Sequence, residues 1–184
     1  MKKIHVIAKN WGNGDGGAGY LNSLAFYTKD NEKLEVTDVV SVGDSGAGGV
    51  SFKLNGVGAR IEWFNNYGSS YYPSNIFATG ASYAYSILLY NMNSYALEQQ
   101  GFYIYFDKDI NNIAYITLLT TFYPANNFVV SIDDGDYTEP VTTVGDEVFK
   151  IPLPASKIRC IRGKDGKYYF LRRDPSEALA GSPA

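Results

Sequence analysis

Twelve short segments of this chain either alternate apolar and polar residues or run apolar with β-branched and aromatic side chains. In order they are KKIHVIAK, LNSLAFYT, KLEVTDVVSV, GVSFKLN, ARIEWF, YSILLY, FYIYFD, IAYITLLTT, FVVSID, EVFKIP, KIRCI and KYYFLR. A period of two puts successive side chains on opposite faces, which is the mark of a half-buried strand. No window sustains the i, i+3, i+4, i+7 apolar spacing of an amphipathic helix. Turn-rich joints separate the segments: TKDNEK, GDSGAGG, FYPANN, DDGD and GKDGK. In the last, Asp165-Gly166 stands between two strands and favours a two-residue type I′ hairpin. This pattern predicts an all-β protein, an antiparallel β-sandwich, jelly roll or barrel, with no internal repeat. The organisation predicted is a β-sandwich domain over 1–154, a basic β-hairpin over 155–173 and a tail over 174–184, frayed or docked on a neighbour.

Composition narrows this picture. The chain has 184 residues, with 16 Tyr and 19 Gly, and it is 45% hydrophobic. That is enough for one ordinary core in one domain. Cys160 is the single cysteine, so no internal disulfide can form. It reads as a small core residue of the alternating stretch Lys157–Ile161. After Met-Lys-Lys only five largely apolar residues follow, Ile4–Ala8 with His5 among them, too short a run for a signal peptide. No run reaches the ~18 apolar residues of a membrane span. The expectation is a protein made without an export signal, with no membrane partner.

Net charge is −3 but uneven: residues 1–154 carry 9 basic and 16 acidic side chains, and residues 155–184 carry 7 basic and 3 acidic. The basic block KIRCIRGKDGKYYFLRR could face a negative partner or be the solvated face of a terminal hairpin. The acidic remainder argues against nucleic acid, and none is expected as a partner.

Two features point to recognition. From Trp63 to Leu97 there are 35 residues without Asp, Glu, Lys, Arg or His. Ten aromatic rings, among them Trp63, Tyr67, Tyr71, Tyr72 and Tyr83, alternate there with Asn and Ser. Amphipathic rings with amides and hydroxyls supply contact area at low entropic cost and adaptable hydrogen bonding; tyrosines packing sandwich edges would look similar. The other feature is glycine. GNGDGGAG follows Trp11, and GDSGAGGVSFKLNGVG, with Asp44, repeats the device at 43–58. A phosphate cradle would need a helix after the glycines, but a strand-like segment follows and no GK[ST] occurs. Loops that approach a ligand or another chain closely remain, near each other if the strands run up and down. The candidate ligand- or partner-binding set is Trp11, Asp44, Trp63, Tyr67, Tyr71, Tyr72 and Tyr83.

Catalytic and metal chemistry find little. His5 is the only histidine, in an alternating strand expected near the N-terminal edge, and no GxSxG accompanies it. One His and one Cys cannot build a zinc site. Asp133, Asp134 and Asp136 form DDGD at a strand end, and Asp107 and Asp109 flank Lys108. Carboxylates in such turns usually bond their own backbone, although calcium at Asp134 or Asp136 stays open. A glycosidase would need two carboxyls across a cleft. No catalytic residue, metal or cofactor is expected.

Four stretches resemble the galactose-binding-like jelly rolls of the discoidin, or coagulation-factor C-type, branch, variants of which recur in bacteriophage tail and capsid-surface proteins. IHVIAKN…YLNSLAFYTKDNEKLEV resembles the opening strand, glycine-bearing loop and second strand. SNIFATGASYAYSI is similar to the segment that usually carries Phe-Asp-Gly and an aromatic. FYIYFDKDINNIAYITLLT and FVVSIDDGDYTEP resemble the later strands. Ala78-Thr79-Gly80 stands where Asp-Gly is usual, the paired cysteines are missing and the basic C-terminal hairpin is extra. The resemblance, over about residues 3–150, implies a non-catalytic module that binds carbohydrate, lipid or protein through loops at one end. It implies a virion component engaged in assembly, self-association or attachment to a cell-surface glycan. The alternative is a carbohydrate-active enzyme or its accessory domain.

Overall fold

Side-chain alternation decides which face of each strand turns inward, and two extra residues adjust it where the spacing is not two. The computed structural model describes residues 1–11, 18–42, 49–63, 76–77, 87–90, 100–121, 125–139, 148–153, 159–162, 168–171 and 179–180. Among the described residues, ten strands form two sheets. The first has six, in the order β3 (Val36–Val42), β4 (Gly49–Leu54), β5 (Val57–Trp63), β7 (Phe102–Phe106), β1 (Lys3–Trp11) and β9 (Ala125–Ile132). The second has four: β10 (Val148–Pro152), β8 (Tyr115–Thr121), β2 (Ala18–Tyr27) and β6 (Ile87–Tyr90). Every neighbouring pair is antiparallel. The described residues contain no α-helix. Each of the twelve predicted segments overlaps a strand.

The two sheets share one core. Ile4 and Val6 of β1, Val50, Phe52 and Leu54 of β4, Ile61 of β5, and Phe102, Ile104 and Phe106 of β7 face Leu24 and Phe26 of β2 and Ile116 and Leu118 of β8. Phe26 lies 5.9 Å from Phe52 and 6.5 Å from Phe106, ring centre to ring centre, which joins the sheets. Each such ring removes on the order of 150–250 Å² from water and dominates the local energetics.

Leu21 and Leu24 are both buried though three apart, which strict alternation forbids. The register slips between Leu21 and Ser23, so Asn22 is an extra residue that resets the parity. β3 repeats the device: Asp38, at φ 52°, is the extra residue, and Val36 and Val39 both pack inward. Asn55 and Gly56, at φ 46° and 78°, close β4 onto β5 through a two-residue loop. This Asn-Gly signal for a type I′ turn stands in the sequence beside the Asp165-Gly166 signal; the latter lies outside the described residues.

β1 was expected near an edge. Instead it is flanked on both sides, by β7 and β9. Its backbone pairs on both sides, and Ile7 is buried on the face turned away from the shared core.

A third sheet joins β11 (Arg159–Arg162), β12 (Tyr168–Leu171) and β13 (Leu179–Ala180). β11 and β12 are the basic hairpin. β13 belongs to the stretch read as a frayed or partner-docked tail, and it pairs with Tyr169 and Phe170 of its own chain.

Candidate binding surface

Strand polarity puts the strand ends from which the sequence-predicted loops start at one end of the six-stranded sheet. β1, β3 and β5 run one way in the six-stranded sheet, and β4, β7 and β9 run the other. The exits of β1, β3 and β5 and the entries of β4, β7 and β9 therefore share an end. Both glycine-rich connections and the uncharged segment start there. Val42 is level with Gly49, which is level with Glu62, one residue short of Trp63. Trp63 is level with Phe102 and through it with Val6. β1 runs five residues further to Trp11, opposite Ala125, or about 17 Å at strand rise.

Of the seven candidate residues, Trp63 is fully described. It points inward and packs, half-buried, against the end of the core, so the ring both closes the core and meets solvent. Trp11 is placed as backbone at the end of β1. Asp44, Tyr67, Tyr71, Tyr72 and Tyr83 lie outside the described residues. The uncharged segment also feeds the core: Ile76 is fully buried and Phe77 lies 4.7 Å from Phe52 and 6.4 Å from Phe26. Phe26 and Phe52 sit toward the opposite end from Trp63, so the segment is not purely a recognition surface.

A second constellation, absent from the sequence prediction, occupies the outer face of the six-stranded sheet. Arg60, Tyr105 and Lys3 form one cross-strand row, and Glu62, Tyr103, His5 and Ser131 form the next. The rings stack. His5 lies 3.8 Å from Tyr103 at 16°, and Tyr103 lies 5.7 Å from Tyr105 at 19°. The Arg60 guanidinium sits 4.3 Å from the Tyr105 ring centre, and Lys3 Nζ sits 4.9 Å from that of Tyr103. Arg60 Nε donates to Glu62 Oε1 at 2.6 Å, and Lys3 Nζ to Asp134 Oδ1 at 2.6 Å. Two cations thus meet two carboxylates, and these four groups sum to zero charge. Burial pushes the Tyr105 phenol above its usual range, against the pull of Lys3 and Arg60. It is a neutral hydroxyl at pH 7.

His5 is buried and anchors this face. Its Nε2 lies 2.6 Å from the Gln100 carbonyl, an acceptor only, so Nε2 carries the proton and donates. The Tyr137 hydroxyl, 2.6 Å from Nδ1, donates to that nitrogen in the neutral ring. Gly101, at φ 67°, sets the backbone beside Gln100 so close to the Val6 carbonyl that no Cβ would fit. Here the only histidine is a structural tie between β1, the entry to β7 and the return after β9.

The DDGD turn is built the same way. Asp133 and Asp134 both have positive φ, 46° and 58°, and Gly135 N–H donates to Ile132 O at 2.9 Å. Asp133 Oδ1 accepts the N–H groups of Lys2 and Lys3 at 2.8 and 2.7 Å. These contacts tie the turn to the start of the chain through Asp133 and engage Asp134 with Lys3. Among the described residues no group of three or more His, Cys, Asp or Glu is placed to hold a metal ion.

Tyr103 and Tyr105 were legible as the polar-tipped rings of FYIYF, standing alternately to Phe102, Ile104 and Phe106. Their neighbours Arg60, Lys3 and His5 come from strands far away in sequence, and no local signal announces them. No family model, curated protein or solved structure matches the chain.

Proposed function

We propose that this chain is a non-catalytic binding and assembly module of the galactose-binding-like jelly-roll type, carried on the tail or capsid surface of a bacteriophage particle. Its loop end contacts a host-surface glycan, and neighbouring virion proteins hold it in place. The observation that carries the reading is the common end shared by both glycine-rich connections and the start of the uncharged Tyr/Asn/Ser segment. Sandwich folds of this kind place recognition on loops held by a rigid scaffold. The jelly-roll assignment draws support from the pairing of β1 with β9 and of β2 with β8, which runs the first two strands against two late ones across both sheets. The virion assignment rests on the four resembling stretches.

A single glycan site of this kind is weak, and attachment gains strength from many copies on one particle. The test is binding of the 184-residue protein to a glycan array and to host cell-wall polysaccharide, with Tyr71→Ala/Tyr72→Ala beside it. The double variant is expected to bind roughly tenfold or more weakly, the equivalent of about 1.4 kcal/mol, with its melting temperature nearly unchanged. Loss of stability in the variant would make these rings core. Release of sugar from the polysaccharide would establish the carbohydrate-active enzyme instead.

A further inference from the structure

We infer that the outer face of the four-stranded sheet carries a further ligand site, a platform of Tyr27 and Tyr115 between Lys33 and Lys150, and that it takes a uronic acid residue of an acidic polysaccharide. The platform is a cross-strand row. Tyr27 of β2 is level with Tyr115 of β8. The chain turns back after β2, and Lys33 is level with Tyr27 on its other side. Lys150 reaches the row from β10. All four alternate with core residues, Phe26, Ile116, Leu34 and Ile151, so they stand on the face turned away from the core. The two rings lie 4.9 Å apart and 4° from parallel, and Lys150 Nζ sits 3.9 Å from the Tyr115 ring centre. Because β8 stands between β10 and β2, Lys150 and Tyr27 take opposite faces of the Tyr115 ring.

The row is held in place. Lys29, Asp30 and Asn31 close a three-residue loop, with Asn31 at φ 64° and Thr28 N–H donating to Glu32 O at 2.9 Å. The Tyr115 hydroxyl donates to Asn31 Oδ1 at 3.1 Å, which ties the ring to that loop. Leu34 N–H donates to Phe26 O and Ala114 N–H to Tyr27 O, at 2.9 and 2.8 Å. Such preorganisation lowers the cost of binding. The row is also open: Lys33 and Lys150 are exposed and both tyrosines are half-buried. A cross-strand tyrosine pair alone does no more than stabilise a sheet. Two features set this one apart among the described residues. Neither ammonium pairs with a carboxylate, whereas Lys3, Lys53 and Arg60 all do. The Tyr27 ring face turned toward Lys33 carries no second ring and no cation.

Shape and charge select the occupant. A pyranose ring presents a flat set of C–H groups, whose positive edges suit the negative face of an aromatic ring. Stacked on Tyr27, a uronate has its carboxylate within the reach of the Lys33 ammonium, a charge-assisted hydrogen bond. The Tyr27 hydroxyl and the Asn31 amide nitrogen offer hydrogen bonds to sugar hydroxyls. Ammonium groups on both sides of the pair suit a chain of repeated carboxylates better than a single anion. The acids of the loop do not cancel this charge. Asp30 lies 4.0 Å from Lys29, and Glu32, one residue before Lys33, alternates to the other face of the hairpin. Exposed ion pairs are weak, so one site should show a dissociation constant on the order of 1 mM. Tyr27 adjoins Phe26, toward the end of the sandwich away from Trp63. The platform is therefore separate from the loop end and does not depend on the function proposed for it.

The test is an NMR titration of the isotope-labelled protein with oligomers of galacturonate, mannuronate and glucuronate. Their carboxyl-reduced, neutral counterparts and a polyglutamate peptide serve as controls. At least one acidic oligomer should shift the signals of Tyr27, Lys33 and Tyr115, and less so as salt is raised. Lys33→Gln, an exposed change that leaves the fold intact, should weaken this binding roughly threefold or more. Tyr27→Leu, which removes the stacking face, should weaken it roughly fivefold. Tyr71→Ala/Tyr72→Ala should leave it unchanged, which separates this site from the loop end. No shift in the row with any of the three oligomers, shifts at the loop end alone, equal shifts with the neutral counterparts or with polyglutamate, or indifference to Lys33→Gln would overturn the inference.

Discussion

At the scale of single residues, polar side chains do structural work that their chemistry alone would not announce. Asp133 is an acid in an acidic tetrapeptide, yet its Oδ1 accepts two backbone N–H groups and holds the chain start against the end of β9. Replacing it by Ala removes both bonds and puts Ala at positive φ, so a loss of about 2–3 kcal/mol in urea unfolding is expected. Asp133→Asn keeps an acceptor oxygen and tolerates that φ, and should lose clearly less. Equal losses would show that charge, not hydrogen bonding, matters there. Tyr105 gives a pH prediction. Its pKa is raised in the folded state, chiefly by burial. The stability this shift contributes is present below the unfolded value of about 10 and is lost as pH rises through the folded value. Between about pH 10 and the folded value, wild type should therefore lose stability more steeply than Tyr105→Phe, measured by urea unfolding across the alkaline range. Parallel curves would refute it.

At the scale of elements, the bulges are the least expected feature. Alternation in LNSLAFYT reads as a strand, but Leu21 and Leu24 cannot both face inward without an inserted residue. Asn22 supplies it. Deleting Asn22 leaves a regular strand in which Leu21 or the pair Leu24 and Phe26 must turn outward. The expected cost is that of exposing a core leucine, about 2–5 kcal/mol, whereas Asn22→Ala, which keeps the count, should cost under about 1 kcal/mol. Denaturant midpoints of the two variants decide this, and similar midpoints would mean the bulge can migrate. The two-residue turn at Asn55-Gly56 shows the opposite case, because its geometry follows from the dipeptide itself.

At the scale of the whole molecule, the uncharged segment serves two ends of the sandwich. Trp63 begins it at the loop end, while Ile76 is buried in the core and Phe77 packs against Phe26 and Phe52. Ile76→Ala should therefore lower stability by about 2–5 kcal/mol, even though the residue lies only four positions from Tyr72, where substitution is expected to be nearly silent. Thermal melts of the two variants side by side test the division. An Ile76→Ala protein as stable as wild type would return the entire segment to the surface.

The strands, their approximate limits and the all-β class were legible in the amino-acid pattern, because a period of two and turn residues are local signals that need no partner. The Asn55-Gly56 dipeptide carries a tight-turn signal of the same kind as Asp165-Gly166, through the backbone freedom that Asn and Gly allow. Which strands pair, and with that the end from which the glycine-rich connections start, followed from the packed fold. The Arg60–Tyr105–Lys3 row shows why. Arg60 and Lys3 are 57 residues apart in sequence and stand on either side of one ring solely because β5 and β1 both pair with β7. His5 likewise reads as a lone, ambiguous histidine until Gln100 and Tyr137 close around its two nitrogens. Contacts of that separation are fixed by which buried faces match, a property of the folded whole.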